Sequence, residues 1–232
     1  MKFINKEKIE KIKLNKDNFY VAIDFDGTIT ARKSCDSWDA TGKMLGKEFQ
    51  NKLDSLAKKY GPIELDYKIS FEEKRKAMEE WYNIAMQLFY EYNLTQEQLK
   101  QSINMSNLIF REGAKEFLIE MNKNNIPVII LSAGIGNVIK QFLQSNNCYF
   151  DNMNIISNFF HFDKAGKIKK QQGTIIHTLN KTMKGNITTE IAEIIKNKEF
   201  RLLFGDFVED KKIVPAEEWD KTISIRIFRQ KC

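Results

Sequence analysis

The sequence predicts an α/β protein: a mostly parallel sheet, helices on both of its faces, and an all-helical insert. Three observations lead there. Short, near-continuous apolar runs alternate with segments of helical periodicity, the pattern of strands buried on both faces. Three of these runs stop abruptly at small polar clusters. Between the first and second of them, a long stretch carries its apolar residues at three- and four-residue spacing, as an amphipathic helix does.

Taken in order, Phe19-Tyr20-Val21-Ala22-Ile23 is a buried strand that ends at Asp24-Phe25-Asp26-Gly27-Thr28. The insert follows. Gly46 to Tyr60 carries Phe49, Leu53, Leu56 and Tyr60 on one face. Ser70-x-x-Glu73 is a capping box opening a helix with Phe71, Met78, Trp81, Ala85, Leu88 and Tyr92, and Thr95-x-x-Gln98 opens another. We therefore expect a core of residues 1–30 and 108–232 and a helical cap of residues 31–107. A helix from Glu112 to Asn124, burying Phe117, Leu118 and Met121, leads to the strand Pro127–Leu131, which stops at Ser132-Ala133-Gly134. A helix from Ile135 to Asn146, a strand at Asn154–Ser157 and a helix from Ile187 to Asn197, burying Ile187, Ile191, Ile194 and Ile195, come next. Phe200–Phe204 ends at Gly205-Asp206, and Thr222–Phe228 reads as the last strand.

Composition narrows the classes of function. The 232 residues are 42% hydrophobic and 29% charged, enough to bury a core and too apolar for disorder. No run approaches the roughly 18 apolar residues of a membrane span. Met1 to Lys16 alternates lysine with single apolar residues and lacks the apolar block of a signal peptide, so a cytoplasmic location is expected. Cys35, Cys148 and Cys232 are odd in number and far apart, which fits free thiols in a reducing compartment. With only His161 and His177, a histidine-rich zinc site is excluded. The net charge of +6 is spread among acidic residues and marks no nucleic-acid stripe, while suiting a small anionic substrate.

The strand ends carry the chemistry. Asp24 and Asp26, two apart at the end of a buried strand, bring two carboxylates toward one volume. Their repulsion is relieved by a divalent cation, and Mg²⁺ takes a few such oxygens plus waters. Gly27 permits a tight turn there. Ser132, with the Ala133 and Gly134 amides, opens a helix, and a helix N-terminus suits phosphate. Asp206 adds a third carboxylate at a neighbouring strand end, Asp210 lies one turn further, and Lys181 precedes that strand. In parallel sheets of this kind ligands bind beyond the carboxyl ends of the strands. Competing motifs fail: Gly134-x-Gly136 has Ile139 in place of the third glycine of a dinucleotide fingerprint, and Ile130 stands where a nucleophile elbow needs glycine. A phospho-acceptor switch domain would carry its acidic pair adjacent and no large helical insert.

Asp24-Phe25-Asp26-Gly27-Thr28, Ser132, Lys181 and Gly205-Asp206-x-x-x-Asp210 resemble the four ordered motifs of the haloacid dehalogenase superfamily. Leu131 to Val138, Ile156-Ser157-Asn158-Phe159, Ile176 to Lys181, Glu80-Trp81-Tyr82 and Ile63-Glu64-Leu65-Asp66 are similar to the cytosolic pyrimidine 5′-nucleotidase family. Phe207, where a small polar residue is expected, departs from the pattern. The resemblance implies a Rossmann-like core and a Mg²⁺-dependent phosphomonoesterase acting on nucleoside monophosphates, pyrimidine ones first. The alternatives are a phosphoserine-phosphatase-like enzyme, another small-metabolite phosphatase, or a non-catalytic phosphate-binding module. By the same resemblance Asp24 is the nucleophile and Asp26 the acid and base. Mg²⁺ is held by Asp24, Asp206 and the Asp26 carbonyl. Ser132, Ala133, Gly134 and Lys181 hold the phosphoryl group. Asp210 orients Lys181 or a metal-bound water, Thr28 supports the turn, and Glu64, with Trp81 or Tyr82, faces the nucleoside from the cap.

Overall fold

Strand β1 (Phe19–Ile23) is the centre of a five-stranded sheet in the computed structural model, which describes residues 7, 9–11, 15–170 and 174–227. Most of the Met1–Lys16 segment, Cys232 and Phe228 at the end of the expected last strand lie outside the described residues. The further strands are β2 (Val128–Ile135), β3 (Met153–Asn158), the short pair β4 (His161–Phe162) and β5 (Ile168–Lys169), β6 (Phe200–Gly205) and β7 (Thr222–Arg226). The large sheet has the order β3-β2-β1-β6-β7, and every pairing in it is parallel. After β1 the chain moves to β2 on one side and later returns to β6 on the other. That reversal opens a crevice beyond the carboxyl end of β1, the place where such sheets bind ligands.

Both faces of the sheet are covered, as the continuous apolar runs require. Phe19, Val21 and Ile23 face Leu118 of α5 (Ala114–Lys123) and Ile139 and Phe142 of α6 (Gly136–Ser145). Tyr20 and Ala22 point the other way, into a cluster with Ile129, Leu131, Met183 of α7 (Met183–Asn186) and Ile191 of α8 (Thr189–Ile195). Four helices precede α5 in the chain between β1 and β2: α1 (Ser37–Gly42), α2 (Gly46–Leu65), α3 (Phe71–Glu91) and α4 (Gln96–Met105). Both expected capping boxes form, at Ser70 with Glu73 and at Thr95 with Gln98. Phe49, Leu53, Phe89, Leu99 and Ile103 share one apolar cluster with Ile135, Val138 and Phe160, so the helical layer is seated on the sheet side through common packing. Phe89 is fully buried in that cluster, and truncating such a residue to alanine costs about 3–5 kcal/mol.

Several details differ from the sequence reading. β2 runs on through Ser132, Ala133 and Gly134 to Ile135, with a register shift against β3 after Leu131, and the helix begins one residue later at Gly136. Ile194 is 38% exposed, because seven residues of α8 bury little more than Ile191. Phe71, expected on the buried stripe, sits in the first turn of α3 and is 51% exposed. Helix α1 and the β4–β5 hairpin were not expected. The hairpin is tied by Asp163, whose Oδ1 accepts the Ala165 and Lys167 N–H groups, each at 2.9 Å.

Candidate active site

Asp24 follows β1 directly, and its backbone N–H donates to the Phe204 carbonyl of β6 at 3.0 Å, so the sheet ladder itself fixes where the side chain starts. The carboxylate is buried, and it accepts a hydrogen bond from the Lys181 ammonium. Lys181 Nζ also donates to Asp210 Oδ1 at 2.9 Å, and Asp210 Oδ2 accepts the Phe207 N–H at 2.8 Å. Oxygens of Asp24, Asp206 and Asp210 all lie within 4.8 Å of one another, and all three residues are buried. Burial pushes the Asp24 carboxyl up to about 6, with Asp210 adding to the rise and Lys181 opposing it. For Lys181, burial works against its charge, but Asp24 and Asp210 outweigh it and hold the ammonium above its ordinary value. Four buried ionisable groups thus form one mutually dependent cluster, costly to assemble unless charges alternate.

The turn after Asp24 brings the chain back over this cluster. Gly27 has φ +79°, and a Cβ there would stand 2.6 Å from Asp206 Oδ2, so the close approach of the two loops needs glycine. Arg111 clamps the turn from behind, donating to the Gly27 carbonyl and, at 3.1 Å, to the Thr28 carbonyl. Thr28 itself is buried on that rear side.

The Asp26 side chain is held by α1. Its Oδ1 accepts the Ser37 N–H at 3.0 Å, and its Oδ2 accepts the Ser37 hydroxyl at 2.7 Å. Ser37 Oγ in turn accepts the Ile135 N–H at 3.1 Å. Desolvation first, then the negative charges of Asp36 and Asp24, push the Asp26 carboxyl well above its ordinary range against those two hydrogen bonds. At the end of β2, the Gly134 N–H donates to Ser132 Oγ at 3.0 Å, and the Ala133 carbonyl accepts from Trp38 Nε1 at 3.2 Å.

Lys181 is delivered by a loop that Asn158 ties down. The fully buried Asn158 amide donates to the carbonyls of Ala133, Gly134 and Ile176 and accepts the Ile176 N–H at 2.8 Å. Asn180 Oδ1 then accepts the His177 N–H at 2.7 Å, closing the turn before Lys181. One cavity of about 200 Å³ is lined by Asp24, Asp26, Glu64, Ser132, Ala133, Gly134, Lys181, Asp206 and Asp210, together with Asp36, Trp38, Tyr82, Thr178 and Phe207. All the residues expected at the site from the sequence line it except Thr28 and Trp81. Asp36, Ser37, Trp38, Thr178 and the tethering role of Asn158 were missed. Asn158 carried a signal, an amide immediately after the expected Asn154–Ser157 strand. A second cavity of about 230 Å³ shares Asp36, Trp38 and Tyr82 with the first and adds Trp81, Asp39 and Asp54. Tyr82 stands edge-on to Trp38 at 5.4 Å and to Trp81 at 5.7 Å, and Trp81 stacks on Tyr60 at 5.9 Å.

Strand-end carboxylates around a lysine, under a layer of inserted helices, are the architecture of haloacid dehalogenase-type phosphatases. A phosphoserine phosphatase captured as a phospho-aspartyl intermediate analogue shares that fold at a TM-score of 0.57 and 19% identity, over 90% of this chain and 85% of that one. The structure of cytosolic 5′-nucleotidase IIIB bound to cytidine superposes at a TM-score of 0.80, with 24% identity over 95% of this chain and 77% of that one. The chain belongs to the pyrimidine 5′-nucleotidase (UMPH-1) family, whose profile matches residues 24–229. Among relatives, a 7-methylguanosine phosphate-specific 5′-nucleotidase of Xenopus laevis is 30% identical over 88% of this chain and 73% of its own length. That of Gallus gallus is 29% identical over 72% of this chain, and the match spans 58% of the chicken protein.

Proposed function

We propose that this protein is a Mg²⁺-dependent 5′-nucleotidase that removes the phosphate of a nucleoside 5′-monophosphate through an aspartyl-phosphate on Asp24. The observation that supports it most is the convergence of Asp24, Asp206, Asp210 and Lys181, from separate parts of the chain, at the carboxyl end of the sheet. The carboxylate oxygens fit a hard cation in kind and spacing. Asp24 and Asp206, with the Asp26 carbonyl, would hold Mg²⁺, and Asp210 lies close enough to join them or to orient Lys181. When bound, the ion neutralises charge between nucleophile and phosphate.

Asp24 attacks phosphorus in line, forming the Oδ–P bond as the P–O5′ bond breaks. Asp26, whose carboxyl burial pushes above its ordinary range, passes its proton to O5′ and then takes one from the water that hydrolyses the aspartyl-phosphate. Lys181 and Ser132 hold the phosphoryl oxygens. The helical layer of residues 31–107 acts as a cap that excludes water until the nucleoside leaves.

For the base, we infer 7-methylguanosine monophosphate first and pyrimidine nucleotides second, which reverses the expectation from the sequence. The second cavity joins the aromatic rings of Trp38, Trp81 and Tyr82 to the carboxylates of Asp36, Asp39 and Asp54. A base carrying fixed positive charge gains from both cation–π contact and carboxylates. The named specificity of the relatives supports the same order, and the cytosolic neighbour supports a cytoplasmic setting. Turnover of a panel of 7-methylguanosine, cytidine and uridine monophosphates, phosphoserine and a sugar phosphate, with Mg²⁺ and with a chelator, tests this. Methylated guanosine and pyrimidine nucleotides are expected to lead, and only with the ion; phosphoserine leading would overturn the assignment.

A further inference from the structure

Among the described residues, both hydrogen bonds to the Asp26 carboxylate come from Ser37. Ser37 is fully buried, and its backbone N–H and hydroxyl each hold one oxygen of the Asp26 carboxylate, at 3.0 and 2.7 Å. Because the Ile135 N–H donates into Ser37 Oγ at 3.1 Å, the serine proton is directed at Asp26. The pairing is tightly seated: a Cβ on Gly134 would stand 2.0 Å from Ser37 Oγ and 2.7 Å from Asp26 Oδ2. Ser37 opens α1, the first helix after the catalytic turn, and Asp36 caps that helix through the Asp39 N–H. One buried serine therefore joins the first inserted helix, the end of β2 and the carboxyl group next to the nucleophile.

Resting on the phosphatase reading above, we propose that Ser37 is the positioning residue for proton transfer by Asp26. In the first step the Asp24 Oδ–P bond forms, the P–O5′ bond breaks, and the Asp26 proton moves to O5′. A neutral alcohol leaves, and Asp26 becomes a carboxylate. The two Ser37 donors strengthen as that negative charge develops, since hydrogen bonds to an ionised acceptor are stronger than those to a neutral one. They act on the transition state more than on the ground state. They also hold the carboxyl plane in one orientation, leaving the remaining lone pairs of Asp26 for the substrate side.

The dependence on leaving group separates this role from a structural one. A nucleoside 5′-oxygen leaves as an alkoxide unless protonated, whereas p-nitrophenolate leaves without help. The experiment compares kcat/KM, which reports the steps through departure of the leaving group, for a nucleoside monophosphate and for p-nitrophenyl phosphate. Ser37→Ala is expected to lose about 10- to 100-fold on the nucleotide, a part of the 10²–10⁴ that general acid–base catalysis supplies. On p-nitrophenyl phosphate the loss should stay within about threefold, which also shows that the variant is folded. On the nucleotide, Asp26→Asn should lose more than Ser37→Ala does, and adding Ser37→Ala to it should cost little more, because the two act as one unit. Should Ser37→Ala fail to fold, Ser37→Cys, which keeps a weaker donor, carries the same comparison with a smaller selective loss expected. Equal losses on both esters, or no loss on either, would overturn the role of Ser37. Failure of the wild-type protein to turn over any ester would instead overturn the phosphatase reading.

Discussion

The end of the sheet and the helical layer above it are built on different physics. At the sheet end, backbone pairing fixes every position: Asp24 is one residue beyond a strand paired on both sides, and Asp206 is one residue beyond the next. Buried charge there must alternate, so Asp24, Lys181 and Asp210 interlock and few substitutions are tolerable. The helical layer holds its place through apolar packing, in which Phe49, Phe89 and Leu99 meet Val138 and Phe160. Such packing accepts volume-conserving change. On the proposed reading, chemistry resides in the rigid region and selectivity in the adaptable one, so damage to each should have a different kinetic signature.

The largest effect is expected at the sheet end. Asp24→Asn should lower kcat at least about a thousandfold on every ester in the presence of Mg²⁺, because in the proposed mechanism Asp24 takes the phosphoryl group. A variant that lost activity on nucleotides alone would break the division between the two regions. Next comes Trp81→Ala. Loss of a stacking surface worth about 1–3 kcal/mol should raise KM for nucleoside monophosphates about tenfold to a hundredfold. Turnover of p-nitrophenyl phosphate should hardly change. Equal losses on both substrates would mean that the aromatic wall supports the fold and not the base.

The smallest effect is one of pH on stability, and it sharpens the comparison at the seam between the regions. His177 lies under Tyr82, with ring centroids 6.0 Å apart, and burial lowers its pKa to about 4. An unfolded histidine titrates near 6.5, so between about pH 6.5 and 4 the unfolded chain binds a proton that the native one does not. This group therefore makes the protein less stable as pH falls through that window. Asp24, held near 6, acts in the opposite direction, retaining a proton in the native state above the range where the unfolded carboxyl has lost it. Denaturant midpoints of the wild type and His177→Gln at pH 7 and pH 5 isolate the histidine. The variant should lose less on acidification; an equal loss would show that His177 protonates freely in place.

Legibility in the sequence follows the same division. The β1, β2 and β6 apolar runs and their polar ends were readable because a strand buried on both faces is nearly all apolar, Arg201 of β6 being the exception within the runs. Asp24, Asp26, Ser132 and Asp206 could be assigned to one site from there, and Lys181 through the family resemblance. Ser37 could not: its partners are 11 and 98 residues away, and only the path of the chain after Thr30 brings them together. The β4–β5 hairpin was missed although Asp163-x-x-Gly166 carries a local turn signal, with Gly166 at φ +75°. Phe71 and Ile194 were placed inside by helical spacing, and both lie near the ends of their helices, where spacing no longer decides what is covered.

The claim common to all of this is that Asp24 receives the phosphoryl group within the carboxylate cluster. Crystallisation with Mg²⁺ and beryllium fluoride tests it most directly, since trifluoroberyllate bonds to a carboxylate in the geometry of an acyl phosphate. The account predicts beryllium on an Asp24 oxygen, the ion shared between Asp24 and Asp206, and fluorides facing Lys181 and Ser132. Beryllium fluoride bound to another residue, or an ion held without Asp24, would contradict it.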